Sequence, residues 1–128
     1  MMKNVGMVAV ALFVGCALGA GAISGLHAQG AKKPAYVVAE VQVTDPAAFQ
    51  AYAAKVPDTL KPYNGRTIVR GKGDALEGEP PKGSVVVLAF DSLEDARKWY
   101  DSAAYLALIP ERQKSATSRV HIVEGVPQ

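Results

Sequence analysis

Val85-Val86-Val87-Leu88-Ala89-Phe90 is an unbroken apolar run, with Gly83-Ser84 before it and Asp91-Ser92 after it. Branched residues between breakers read as a strand. A strand with no polar side must be covered on both faces. Downstream, Ser92 followed by Asp95 forms a capping box that opens a helix, whose apolar face is Ala96, Trp99, Tyr100 and Ala103. Asp101-Ser102 then caps a further helical segment carrying Tyr105, Leu106 and Ile109, with Pro110 bending or ending it. Arg119 to Val123 is the last strand, with Val120 and Ile122 opposed to His121 and Val123.

Upstream of the run, Gly71, Gly73, Gly78, Pro80, Pro81 and Gly83 make a long hairpin arm, with a short strand expected at Ala75-Leu76-Glu77. Arg66 to Gly71 is a second strand. Pro62-Tyr63-Asn64-Gly65 before it is a turn. Asp45-Pro46 starts a helix with Phe49, Tyr52, Ala53 and Val56 on one face, and Pro57 ends or bends it. From Tyr36 to Val43, Val37, Ala39, Val41 and Val43 alternate with Tyr36, Val38, Glu40 and Gln42, which is a strand with one fully apolar face. The order β-α-β-β-α-β predicts an α+β, ferredoxin-like domain: a four-stranded antiparallel sheet with both helices on one face. The other face then carries Tyr36, Val38 and one side of the apolar run. A second copy is the simplest cover for such a surface, so a homodimer is expected.

The chain has 128 residues, 14 basic and 12 acidic side chains, two His and one Cys. That suits one domain, and the scattered charges argue against nucleic-acid binding. Val5 to Leu26 holds no charged residue, Lys3 precedes it, and Leu26-His27-Ala28 follows. This reads as a secretory signal peptide over residues 1–28, a linker over 29–34 and a domain over 35–126, with the product periplasmic or secreted. Two alternatives stand beside cleavage: a retained membrane anchor, and lipid on Cys16 in Phe13-Val14-Gly15-Cys16. Cleavage removes Lys3, Cys16 and His27, leaving 13 basic against 12 acidic residues, no thiol and one imidazole, His121. Thiolate catalysis, disulfides and cysteine metal sites are then excluded, and no stable membrane insertion is expected. No metal or cofactor is assigned, although haem or flavin enters an apolar lumen without a sequence motif. The glycine-rich arm precedes a strand and lacks the order of a phosphate loop.

Ala35-Tyr36-Val37-Val38, Asp45-Pro46, Gly65-Arg66, Val69-Arg70-Gly71 and Leu76-Glu77-Gly78, then Phe90-Asp91-Ser92, Ala96, Trp99-Tyr100, Ser102, Tyr105, Leu108 and Arg112, form an ordered set. It resembles the domain of unknown function 1330 family over nearly all of Ala35 to Val126. The resemblance implies the dimeric α/β-barrel superfamily, in which two ferredoxin-like sheets close on one another. Relatives there include cofactor-free monooxygenases, lactone isomerases, dehalogenating enzymes and haem enzymes.

Glu40 and His121 share the open face with Tyr36. If Arg70 lies there with Ile68, the three polar groups converge: His121 as a base near neutral pH, Glu40 orienting it, Arg70 clamping an anion. The same groups also read as charges paired across a dimer contact. Trp99, Tyr100 and Tyr105 either line a pocket between helix and sheet or fill the core. Arg112 holds an anion near a helix end or pairs with Glu111 or Asp101. Three functions remain open: an exported homodimer that binds a small molecule, a cofactor-free isomerase or monooxygenase acting on a small carbonyl or aromatic substrate, and a structural dimer.

Overall fold

A computed structural model describes residues 32–128. The signal peptide expected over residues 1–28, with its alternatives of an anchor or a lipidated Cys16, lies outside the described residues. Residues Lys32–Gln128 make one compact unit.

The elements run β1 (Ala35–Val43), α1 (Pro46–Leu60), a short 3-10 turn (Lys61–Tyr63), β2 (Arg66–Lys72), β3 (Ser84–Phe90), α2 (Leu93–Tyr100), α3 (Ala103–Leu106), α4 (Ile109–Ser115) and β4 (Ala116–Glu124). The sheet is antiparallel in the order β2-β3-β1-β4. This is the ferredoxin-like α+β fold, with β1 and the apolar β3 in the middle. Both central strands gain partners on two edges, which suits their run of β-branched residues.

The helix starts follow from local chemistry. Asp45 accepts from the Ala48 amide at 3.2 Å, ahead of Pro46 in the first turn. Ser92 accepts from Asp95 N at 3.0 Å, and Ser102 accepts from Tyr105 N at 3.3 Å. Of the two prolines expected to end or bend a helix, Pro57 does not end its own and Pro110 starts one. Pro57 sits inside α1, which continues to Leu60. Pro110 opens α4 rather than ending a segment, because the first turn of a helix needs no amide donor from it. Ala75-Leu76-Glu77 forms no strand; Leu76 is 95% exposed and has no neighbouring ladder to join.

Register separates the two faces. The helix side carries the rows Thr67–Leu88–Val37–Ile122 and Arg70–Val86–Ala39–Val120. The open side carries Arg66–Ala89–Tyr36–Val123, Val69–Val87–Val38–His121 and Gly71–Val85–Glu40–Arg119. In β2 the register slips between Thr67 and Val69, so Ile68 is an extra residue. That slip puts Thr67 and Arg70 on the same, helix-covered side.

The core lies between the sheet and the helices, around Val37, Leu88, Phe90, Ala96, Trp99 and Tyr105. Trp99 is 1% exposed; its ring centroid lies 4.0 Å from that of Tyr105 with the planes tilted by 38°, and its indole N–H donates to Thr59 Oγ1 at 3.0 Å. Asn64, at φ 52°, takes the left-handed position of the turn before β2. Among the described residues, no helix is long and apolar enough to cross a membrane.

Candidate functional site

The helices do not close fully on the sheet. Between them lies a cavity of about 280 Å³. Its floor is the helix side of the sheet, from Val37, Ala39 and Val41 to Val86 and Leu88. Its roof is the α1 face of Phe49, Tyr52, Ala53 and Val56, with Trp99, Tyr105 and Arg112 at one end. Arg70 and Thr67 reach it from β2. Among the described residues, no acidic side chain lines it.

Three polar groups of this cavity form a cluster, while Gln50, Thr67, Arg70 and Ser84 line it elsewhere. The hydroxyls of Tyr52 and Tyr105 lie 2.7 Å apart. Arg112 Nη1 donates to Tyr105 Oη at 3.4 Å. Arg112 is 8% exposed, and its Nε is enclosed with no hydrogen-bond partner. Among the described residues the guanidinium has no carboxylate partner. Glu111, its neighbour in sequence, instead accepts from Lys55 at 2.8 Å. Burial, followed by the nearby Tyr105 hydroxyl, pushes the Tyr52 phenol well above its ordinary range, and burial also raises Tyr105. Both therefore remain protonated, as hydrogen-bond donors, at neutral pH.

The candidate residues divide between the faces. Arg70, Trp99 and Arg112 share the cavity. Tyr100 packs beside it, its ring 5.5 Å from Tyr105. Glu40, His121 and Tyr36 stand on the open side, where Glu40 pairs with Arg119 through Nε at 2.7 Å. The sheet stands between Arg70 and the pair Glu40 and His121, so the three do not converge within the chain. The extra residue at Ile68 is the cause. Tyr52 entered the sequence reading only as an apolar helix position. Its signal was chemical: a buried phenol needs a partner for its hydroxyl. Among the described residues, no group of three His, Cys, Asp or Glu is placed to hold a metal ion.

Solved structures share this architecture at low sequence identity. A protein of unknown function from Rhodopseudomonas palustris superimposes with a TM-score of 0.60 at 16% identity, covering 83% of this chain and 92% of that one. A cofactor-independent oxygenase from Streptomyces nogalater gives 0.51 at 15%, covering 73% and 92%. A dimeric ferredoxin-like protein of unknown function from Thermobifida fusca gives 0.51 at 13%, covering 74% and 92%. These likenesses show the fold alone. Among curated proteins, none matches the sequence. The family model described as Domain of unknown function (DUF1330) matches residues 34–126, more than two thirds of the chain, and the chain belongs to that family.

Proposed function

We propose that this protein is an exported homodimer whose subunits each bind a small molecule, its apolar body held between α1 and the sheet. The cavity of about 280 Å³ carries this reading. An empty apolar space of that size forfeits packing on every wall, and packed interiors rarely keep one without an occupant. A cavity of about 150 Å³ accepts benzene, so this one has room for roughly ten non-hydrogen atoms.

Two further observations support the assembly and its address. The open face presents Val38, Val85, Val87, Val69 and Val123 around the Glu40–Arg119 pair, with Val69 44% and Val123 50% exposed. A second copy of the same face covers such a surface with a closed two-fold contact. The uncharged stretch Val5 to Leu26 supports export. The reading of Glu40, Arg70 and His121 as one catalytic trio is weaker, because Arg70 and the other two lie on opposite sides of the sheet.

Native mass spectrometry of the protein purified from its own compartment tests all three parts. The expected result is a dimer of chains beginning at Gln29, each carrying a small organic molecule that leaves on mild activation. Ligand-free monomers that no member of a panel of small aromatic and aliphatic compounds stabilises against heat would overturn the reading.

A further inference from the structure

We propose that the polar end of the cavity is a carboxylate site, so that the molecule held there is a small monocarboxylate with an apolar body; the proposal rests on the pocket reading above.

The argument is a count of donors and acceptors. A guanidinium only donates, and a neutral phenol donates one proton. Arg112 donates to Tyr105 Oη, and the two hydroxyls share one hydrogen bond. One phenolic proton satisfies that bond. The other has no acceptor among the described residues, whichever hydroxyl carries it. Arg112 Nε is a second donor without an acceptor, and it is fully enclosed. Thr59 Oγ1, the nearby hydroxyl, already accepts from Trp99 and donates to the Val56 carbonyl. The cluster thus holds surplus donors and a positive charge at the end of an apolar space.

Buried donors without acceptors are rare and costly. A bound group that only accepts takes up the free phenolic proton and places a negative charge at the end of the chain of hydroxyls that begins at Arg112. An ionised carboxylate has two oxygens and no proton to place, and it neutralises Arg112. An alcohol or primary amide brings donors of its own and leaves the charge uncompensated. The largely apolar walls, from Val37 and Val86 to Phe49 and Val56, suit a hydrocarbon body, aromatic or aliphatic, with Gln50, Thr67, Arg70 and Ser84 as the other polar groups in reach.

The Tyr52 hydroxyl, placed on α1 in the cavity roof, is a binding residue in this scheme. With Tyr105 donating to Tyr52 Oη, the Tyr52 proton is left for the ligand. The chain Arg112, Tyr105, Tyr52, carboxylate then runs with every proton pointing away from the guanidinium, which its charge favours.

Calorimetry on the full chain at neutral pH tests the proposal, with benzoate, its neutral isostere benzamide, and toluene as a probe of the apolar space. Benzoate is expected to bind at least about tenfold tighter than benzamide. Tyr52→Phe keeps the ring and should weaken benzoate by about fivefold or more, while toluene changes by less than about twofold. Tyr105→Phe serves the same purpose if Tyr52→Phe does not fold. Toluene or benzamide binding with no preference for benzoate overturns the carboxylate site and leaves the pocket reading intact. Benzoate binding that is indifferent to the loss of either hydroxyl also overturns it. If no probe binds, both readings fall.

Discussion

Arg112 is enclosed by apolar walls, bonded to one phenol and left without a counter-charge. Such a group opposes folding of the empty protein, since a desolvated charge is repaid only by a good partner. Replacing it with a flexible apolar side chain of similar length removes that opposition. Arg112→Met is therefore expected to raise the stability of the ligand-free protein by about 1 kcal/mol or more, measured by urea denaturation, while abolishing benzoate binding. A fall in stability would show that the guanidinium has a partner of its own. The sequence marked Arg112 as an anion holder or as a partner of Glu111 or Asp101, and spacing alone did not separate these. The separation came from Lys55, on α1, which reaches across to Glu111. Tyr52 was less legible still. Helical period says which side of α1 faces inward, but not that its hydroxyl meets one 53 residues later.

Elements were read well where local chemistry and tertiary packing agree. The caps at Asp45, Ser92 and Ser102 each accept the amide that their positions predict. The apolar run Val85 to Phe90 became a central strand with neighbours on both edges. Strand β2 was read less well, because Arg-Thr-Ile-Val-Arg-Gly carries no mark of its extra residue. Simple alternation leaves undecided which face Arg70 takes and sends it opposite to Thr67; the slip at Ile68 puts both toward the helices. The junction into β3 depends on backbone freedom. Gly83 has φ +78°, and a Cβ there would lie 2.1 Å from the Val41 carbonyl oxygen. Backbone cannot yield as a long side chain can, so Gly83→Ala should cost more than about 3 kcal/mol and loosen β3 from β1. Chemical denaturation gives the first, and amide hydrogen exchange at Val41 and Val85 the second.

At the scale of the molecule, topology was the most legible feature, because period-two strands, capped helices and breaker-rich turns all imply one order. The proposed assembly depends on the open face. Val38 and Val87 face each other at its centre. Val87→Glu places a charge in the middle of the expected contact, and analytical ultracentrifugation should then find a monomer at concentrations where the parent is a dimer. The same variant should bind benzoate as the parent does, since position 87 points away from the cavity. If both variant and parent sediment as monomers, the open face has another purpose. Here the sheet acts as a party wall. On the proposed reading, the strand side chains that floor the cavity hang on one side of it, and those of the expected contact between copies hang on the other. Because adjacent positions along a strand alternate between the two sides, except at the slip in β2, the proposed cargo and the proposed companionship are free to change separately, one substitution at a time.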